Sequence, residues 1–138
     1  MPGIVVDASV SAAWFLPNEA TPFTEAALQA TAITDVWVPA LWLLEIGNLM
    51  LNAQRRNRIN ESKRRELVAA ASALRLRVDR EPVSLVDLDA LASRHGLTTY
   101  DATYLELALR RALPLATQDK TLRAVMGAAG VATPELAH

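Results

Sequence analysis

Four acids of this chain stand where carboxylates do chemistry. Asp7 closes the apolar run Ile4-Val5-Val6, and Glu45 sits inside the apolar stretch from Leu41 to Leu51. Asp101 falls in the opening turn of the segment from Leu97 to Ala108, and Asp119 follows the run Leu113 to Thr117. Ser9 and Thr117 lie beside two of these acids as neutral oxygen donors and acceptors, while Asn48 and Asn52 follow Glu45 at i+3 and i+7, on one face of a helix. Gathered carboxylates repel one another and raise each other's pKa, so they stay ionised together only around a cation. Ligands made of oxygen alone favour hard cations, Mg²⁺ or Mn²⁺. Such an ion acidifies a bound water, polarises a phosphoryl oxygen and stabilises an in-line displacement, which is what phosphodiester hydrolysis requires.

Each acid but one also has a purely structural explanation. Asp7 or Ser9 can cap a following helix, Thr98 and Asp101 can form an N-terminal capping arrangement, and Asp119 precedes a helix in the same way. Glu45 is the exception, because no Lys or Arg stands within one helical turn of it. An ionised Glu in apolar surroundings is costly unless it is paired, hydrogen-bonded or bound to a metal. His95, just before Gly96, reads as a last-turn residue ahead of a glycine stop, with no other His or Cys near it to complete a soft metal site. The chain has no cysteine, which excludes a disulfide framework, a thiolate nucleophile and a zinc ribbon. Neither a Gly-rich phosphate loop nor a Ser-His-Asp set competes with the acids.

The elements that must position these residues alternate along the chain. A buried strand ending at Asp7 is followed by a helix from Ser9 to Leu16, stopped by Pro17, and by a second helix from Thr21 or Pro22. Asp35 to Pro39 reads as a short strand, Ala40 to Asn57 as a helix apolar almost all round and so expected to be buried, and Glu61 to Leu76 as a helix capped by Asn60. An edge strand within Val78 to Val83, a helix from Ser84 to His95, a helix opening at Leu97, a strand at Leu113 to Thr117 and a helix from Lys120 to Ala128 complete the series. This β-α-α-β opening predicts an α/β fold on a parallel sheet. Parallel strands bring their carboxyl ends to one edge, where ligands bind, so the four acids are expected to converge there.

At 138 residues and 51% hydrophobic composition, one domain over residues 1–138 is expected, with no linker. The longest apolar run, Val36 to Leu44, has nine residues and contains Pro39, too short for a membrane span, and no basic segment precedes an apolar one at the N-terminus. A soluble, cytoplasmic protein is the expectation. Between Arg55 and Arg77 eight basic residues face two acidic ones, an excess of six positive charges on a chain whose formal net charge is -1. That flank is either a surface for a polyanion, with Arg55, Arg56, Arg64 and Arg65 as its phosphate contacts, or a solvated helix face.

Four blocks, Val6-Asp7-Ala8-Ser9, Glu45-Ile46-Gly47-Asn48-Leu49, Thr99-Tyr100-Asp101-Ala102-Thr103-Tyr104-Leu105 and Leu115-Ala116-Thr117-Gln118-Asp119, resemble the four motif blocks of the PIN-domain nucleases, in order and over essentially the whole chain. In its compact form the chain resembles the VapC-type toxins of toxin–antitoxin pairs. The resemblance implies a PIN-like three-layer α/β/α sandwich with a mainly parallel sheet, and a Mg²⁺- or Mn²⁺-dependent endoribonuclease leaving a 5′-phosphate and a 3′-hydroxyl. It makes Asp7, Glu45, Asp101 and Asp119 the catalytic and metal-binding acids, supported by Ser9, Asn48 and Thr117. It also implies a homodimer and a cognate VapB-like antitoxin laid across the cleft, contacts to which Trp14, Phe15 and Leu16 are candidate contributors. Two rivals differ in class. A receiver-type phosphoacceptor domain would pair a second acid with Asp7, and a non-catalytic PIN-like module that binds RNA or a partner would keep the basic flank and not need the acids.

Overall fold

The computed structural model describes residues 3–136. Met1, Pro2, Ala137 and His138, the ends of the single domain expected over 1–138, lie outside the described residues. Strand β1 (Ile4–Val6) leads into α1 (Ala8–Phe15), a 3₁₀ turn at Pro17–Glu19 and α2 (Pro22–Ala30). Strand β2 (Val36–Pro39), α3 (Leu41–Arg55) and α4 (Glu61–Ala73) follow, then β3 (Leu76–Asp79), α5 (Leu85–His95), α6 (Thr99–Arg111), β4 (Leu115–Ala116) and α7 (Lys120–Ala129). The strands pair in the order β3-β2-β1-β4, all parallel.

This order dictates the layers. Right-handed crossovers put a connection on one face when the chain steps one way along the sheet and on the other face when it steps back. The steps β1 to β2 to β3 therefore place α1 to α4 on one side, and α1 packs against α2 and α3, with α3 against α4. The return from β3 to β4 carries α5 and α6 across the opposite face, where α6 covers β1, β2 and β4 and touches α5 and α7. The winding of the chain along the sheet thus switches sense between β1 and β4, which themselves run parallel. The crevice beyond the carboxyl ends of two such strands is where open α/β sheets bind ligands.

Burial follows the same logic. Val5, Val6, Val36, Val38 and Leu115 are fully enclosed because both faces of the sheet are covered, and Leu105, Leu107 and Leu122 pack down from the helices. α3 departs from the expectation of an all-round buried helix. Its buried residues are Trp42, Ile46, Met50 and Ala53, one stripe at the helical period, while Leu43 and Leu44 face outward and Leu44 is 68% exposed. The segment after α4 also differs from the sequence reading, which ran that helix to Leu76. Leu74, Leu76 and Val78 alternate with Arg75 and Arg77, a period of two that wins over helix once β2 offers a partner, and the strand pairs Val36 with Leu76 and Pro39 with Asp79.

Gly3 enters the sheet at φ +115, where an added Cβ would lie 2.3 Å from the Asp35 carbonyl oxygen, the acceptor of the Ile4 N–H at 2.9 Å. Replacing Gly3 by alanine is expected to cost about 2 kcal/mol through this clash and the unfavourable φ. Chemical denaturation should show a lower midpoint at unchanged slope. An unchanged midpoint would refute it.

Candidate active site

Three of the four acids stand at helix N-termini, and the fourth is one turn further in. Asp7 is the N-cap of α1 and accepts the Val10 N–H on Oδ1 at 3.1 Å. Asp119 is the N-cap of α7, accepting the Leu122 N–H at 2.9 Å. Thr98 caps α6 and accepts the Asp101 N–H at 3.1 Å, which places Asp101 in the first turn. Capping and chemistry are therefore not alternatives here. A helix N-terminus carries partial positive charge, so the caps that start these helices also favour carboxylates at the sheet edge.

Register brings the pieces together. β1 and β4 pair Val6 with Ala116, and the Asp7 N–H donates to the Ala116 carbonyl at 3.2 Å, so Asp7 and Thr117 are neighbours across the crevice. Asp7 is 4% exposed and both of its oxygens are held. Ser9 Oγ donates to Oδ1 at 2.7 Å and Thr117 Oγ1 donates to Oδ2. The same hydroxyls accept from the next turn: the Gln118 N–H reaches Ser9 Oγ at 2.9 Å and the Asp119 N–H reaches Thr117 Oγ1 at 3.0 Å. Ser9 and Thr117 thereby lock the turn between β4 and α7 onto the turn between β1 and α1.

Glu45 reaches the same place from α3. Tyr104, from α6, donates its hydroxyl to Glu45 Oε1 at 2.5 Å across 59 positions of sequence. This is the partner that no neighbour in sequence could supply. Burial beside Glu45 pushes the Tyr104 phenol well above its usual range, so it remains a donor.

The electrostatics bind the four acids into one group. Burial raises the Asp7 pKa against the hydrogen bonds from Thr117, Ser9 and the Val10 N–H, and the Asp119 charge raises it further. Glu45 is raised by burial, opposed by Tyr104, with Asp101 and Asp7 adding repulsion. Asp101 is raised by burial and by Asp119. Asp7, Glu45 and Asp101 thus each feel at least one other acid of the group. Among the described residues, however, no three His, Cys, Asp or Glu side chains are drawn together tightly enough to hold a metal ion by themselves.

Asn48 lies on the helix face of Glu45 but is exposed, and no hydrogen bond joins it to the acids among the described residues. Asn52 is likewise exposed. Of the four arginines read as phosphate contacts, Arg64 Nε is held by Gln54 Oε1 at 2.5 Å and Arg65 lies 4.0 Å from Glu61. Arg55 and Arg56, at the C-terminal end of α3, have no ion-pair partner among the described residues.

A family model described as PIN domain matches residues 4–127, the whole span from β1 into α7. The chain belongs to the PIN-domain family. It is 32% identical over 122 residues to Ribonuclease VapC3 of Pyrobaculum aerophilum, a match spanning 86% of this chain and 91% of that protein. That places it among the VapC-type members of the family. The fold is similar to the crystal structure of PAE2754 from Pyrobaculum aerophilum, with a TM-score of 0.70, 24% identity and coverage of 88% of this chain and 78% of that one.

In this PIN domain three residues near the acids, two of them inside the motif blocks, have a place at the site that their sequence positions alone do not assign. Tyr104 is i+3 from Asp101 and so shares its helix face, a spacing that points to the site. Arg123, i+4 from Asp119, donates from Nη2 to the Thr117 carbonyl at 2.7 Å and lies 5.6 Å from the centre of the Phe23 ring. Gln118 Nε2 donates to Thr21 Oγ1 at 3.0 Å. Arg123 and Gln118 tie the β4–α7 turn to the start of α2, a long-range contact with no local sequence signature.

Proposed function

We propose that the chain is a metal-dependent endoribonuclease, the toxin of a toxin–antitoxin pair, and that Asp7, Glu45, Asp101 and Asp119 are its catalytic acids. The observation that carries this reading is the electrostatic linkage of four carboxylates at the switch point of the sheet, within a chain related to a ribonuclease. The donor set fits a hard divalent cation. It is all oxygen, and Asp7, Glu45 and Asp101 each have their pKa raised by the charge of another member, a repulsion that a bound cation would relieve. When bound, Mg²⁺ or Mn²⁺ would supply an acidified water and charge neutralisation at the phosphoryl group.

The chain's own residues do the rest. Ser9 and Thr117 fix the Asp7 carboxylate and leave it little freedom, while Asp119 and Asp101 are carried on helix ends whose dipoles favour their charge. A phosphoacceptor role suits Asp7 poorly, because a receiver-type domain would pair a second acid with it ahead of the first helix and Asp7 is the only acid there. The non-catalytic alternative is separated by incubating antitoxin-free protein with structured RNAs and Mn²⁺. Cleavage ends with a 5′-phosphate support the nuclease, and intact RNA supports the binding module.

RNA would run from the acids along α3. Arg55 is ten residues beyond Glu45, about 15 Å along the helix, so a strand following that helix reaches Arg55 and Arg56 next. Removing both side chains as alanine is expected to flatten the salt dependence of RNA binding by about 0.7 in log–log slope per lost phosphate contact. Removing Arg64 and Arg65 should change it less, since Gln54 and Glu61 already engage them. Equal slopes for both variants and wild type would return the whole flank to a solvated face.

The partners follow the same reading. A VapB-like antitoxin is proposed to cover exposed apolar surface such as Leu43, Leu44 and Val68 on α3 and α4, and a second copy of the chain to cover Leu85, Val86 and Leu109. Among the described residues no helix is long and apolar enough to cross a membrane. An RNA target favours the cytoplasm as the place of action, and the absence of cysteine is compatible with it.

A further inference from the structure

We infer that Tyr104 is a positioning residue for Glu45: its buried hydroxyl fixes one carboxylate oxygen and so presents the other to the metal. The inference rests on the nuclease reading and concerns how the α3 acid is brought to the others. Glu45 has three side-chain torsions, and a partly buried glutamate left to itself samples several rotamers, not all of them toward the crevice. Two contacts remove that freedom. Trp42, on the same helix face at i-3, is 2% exposed and donates Nε1 to Ser11 Oγ at 2.7 Å; Ser11 Oγ in turn donates to the Asp7 carbonyl at 2.9 Å. That chain fixes the first turns of α3 against the turn that carries Asp7. Tyr104, itself 2% exposed, then fixes the side chain with its hydroxyl 2.5 Å from Oε1.

The geometry is one-sided. Among the described residues Tyr104 is the one donor that reaches Glu45, so Oε2 has no competing hydrogen bond, in contrast to Asp7 with both oxygens engaged. The Tyr104 ring is packed in the core and cannot follow Glu45 outward. Because Asp101 and Tyr104 are i and i+3 on α6, the hydroxyl also sets the Glu45 carboxylate relative to Asp101, whose charge it feels. Partners of this kind behind a metal ligand commonly change metal affinity or activity by about 10- to 100-fold when removed.

The test is Tyr104→Phe, which keeps the ring and deletes the hydroxyl, made in wild type and in the Glu45→Gln background. Mn²⁺ dissociation constants are measured on RNA-free protein by the paramagnetic resonance signal of the free ion. About a tenfold weaker Mn²⁺ affinity is expected in the wild-type background and less than about a twofold change in the Glu45→Gln background, because the hydroxyl acts through that carboxylate. RNA cleavage should lose kcat with KM for RNA unchanged. Unchanged Mn²⁺ affinity in Tyr104→Phe, or the same loss in both backgrounds, would overturn the inference. A readout without mutation guards against a misfolded variant: titrating wild-type protein with Mg²⁺ should shift the Tyr104 side-chain NMR signals with the same dissociation constant as Mg²⁺ binding, and signals that stay still would overturn it too. Wild-type protein that neither binds Mn²⁺ nor cuts RNA would remove the nuclease reading itself, an outcome distinct from wild-type binding that Tyr104→Phe leaves intact.

Discussion

Asp7→Asn should lower RNA cleavage by at least about 10³-fold while leaving the fold in place. The factor corresponds to roughly 4 kcal/mol of transition-state stabilisation, of the order that a metal-centred charge supplies. Asparagine keeps the shape and one carbonyl oxygen, so the Val10 N–H and Ser9 Oγ retain their acceptor, and the Thr117 hydroxyl can turn to accept from the amide. The charge is what disappears. Burial already disfavours that charge in the metal-free protein, so the variant should be at least as stable as wild type without added ions. With ions the order should reverse. A cation that binds only the folded state raises stability by mass action, and Mn²⁺ should lift the Tm of wild type and not that of Asp7→Asn. Asp101→Asn, at the start of α6, should reproduce the loss of cleavage. Cleavage undiminished in both variants would end the four-acid proposal, and identical Mn²⁺-induced shifts in Tm would remove Asp7 from the metal site.

The second large effect falls on stability. Asp79 closes β3 at the same sheet edge as Asp7, two strands and so about 10 Å away, yet its surroundings are opposite. It is 5% exposed and accepts both terminal nitrogens of Arg110, at 3.0 and 2.8 Å, and Arg111 Nη2 at 2.9 Å. Arg110 also holds Glu106 at 2.7 Å and Glu81 at 3.0 Å, and the Arg111 guanidinium stacks 3.5 Å from the centre of the Trp37 ring. This network clamps the C-terminal end of α6 to the outer strand. Asp79→Ala leaves two partly enclosed guanidinium groups facing a void and should cost about 3–4 kcal/mol, a fall of roughly 10 °C in Tm. The hydrogen bonds of Arg110 and Arg111 hold the Asp79 carboxyl below its usual range. A depressed pKa stabilises the fold at every pH above the ordinary aspartate value and loses that contribution as pH falls through the lower, folded value. Wild type should therefore show an acid loss of stability below about pH 4 that is smaller in Asp79→Ala. A change of under 1 kcal/mol at neutral pH would make the network a surface feature. The acids of one sheet edge thus divide into a structural one, already neutralised by arginine, and four that no described cation neutralises.

How far the sequence could be read depends on the range of the interaction concerned. The strands ending at Asp7 and Thr117, the caps at Asn60, Ser84 and Thr98, and the glycine stops at Gly96 and Gly130 are local matters of β-branching, hydrogen bonding and backbone freedom, and each lies where its residues place it. Alternation of strand and helix was enough to predict a parallel sheet, and with it the shared edge. Glu45 could be singled out as an acid without a neighbour to pair with, but its partner could not be named, because Tyr104 is 59 residues away and only the packing of α6 against the sheet brings it within reach. α3 was read as buried all round because hydropathy counts leucines without knowing how many faces of a helix find neighbours; Leu43 and Leu44 found none. Asp79 was invisible as a structural acid for the same reason, its two arginines being 31 and 32 positions away. By itself, then, the sequence determined most element types, the caps and which acids stand at element ends, since these rest on interactions within a few residues, whereas the strand at Leu76–Asp79 needed β2 as a partner. Tertiary structure decided the rest: which carboxylates share the crevice, which one is neutralised, and how Asp7 and Glu45 are held. Those outcomes depend on strand order and on the return of α6 across the sheet, and pairings across such separations leave no periodic trace in the chain.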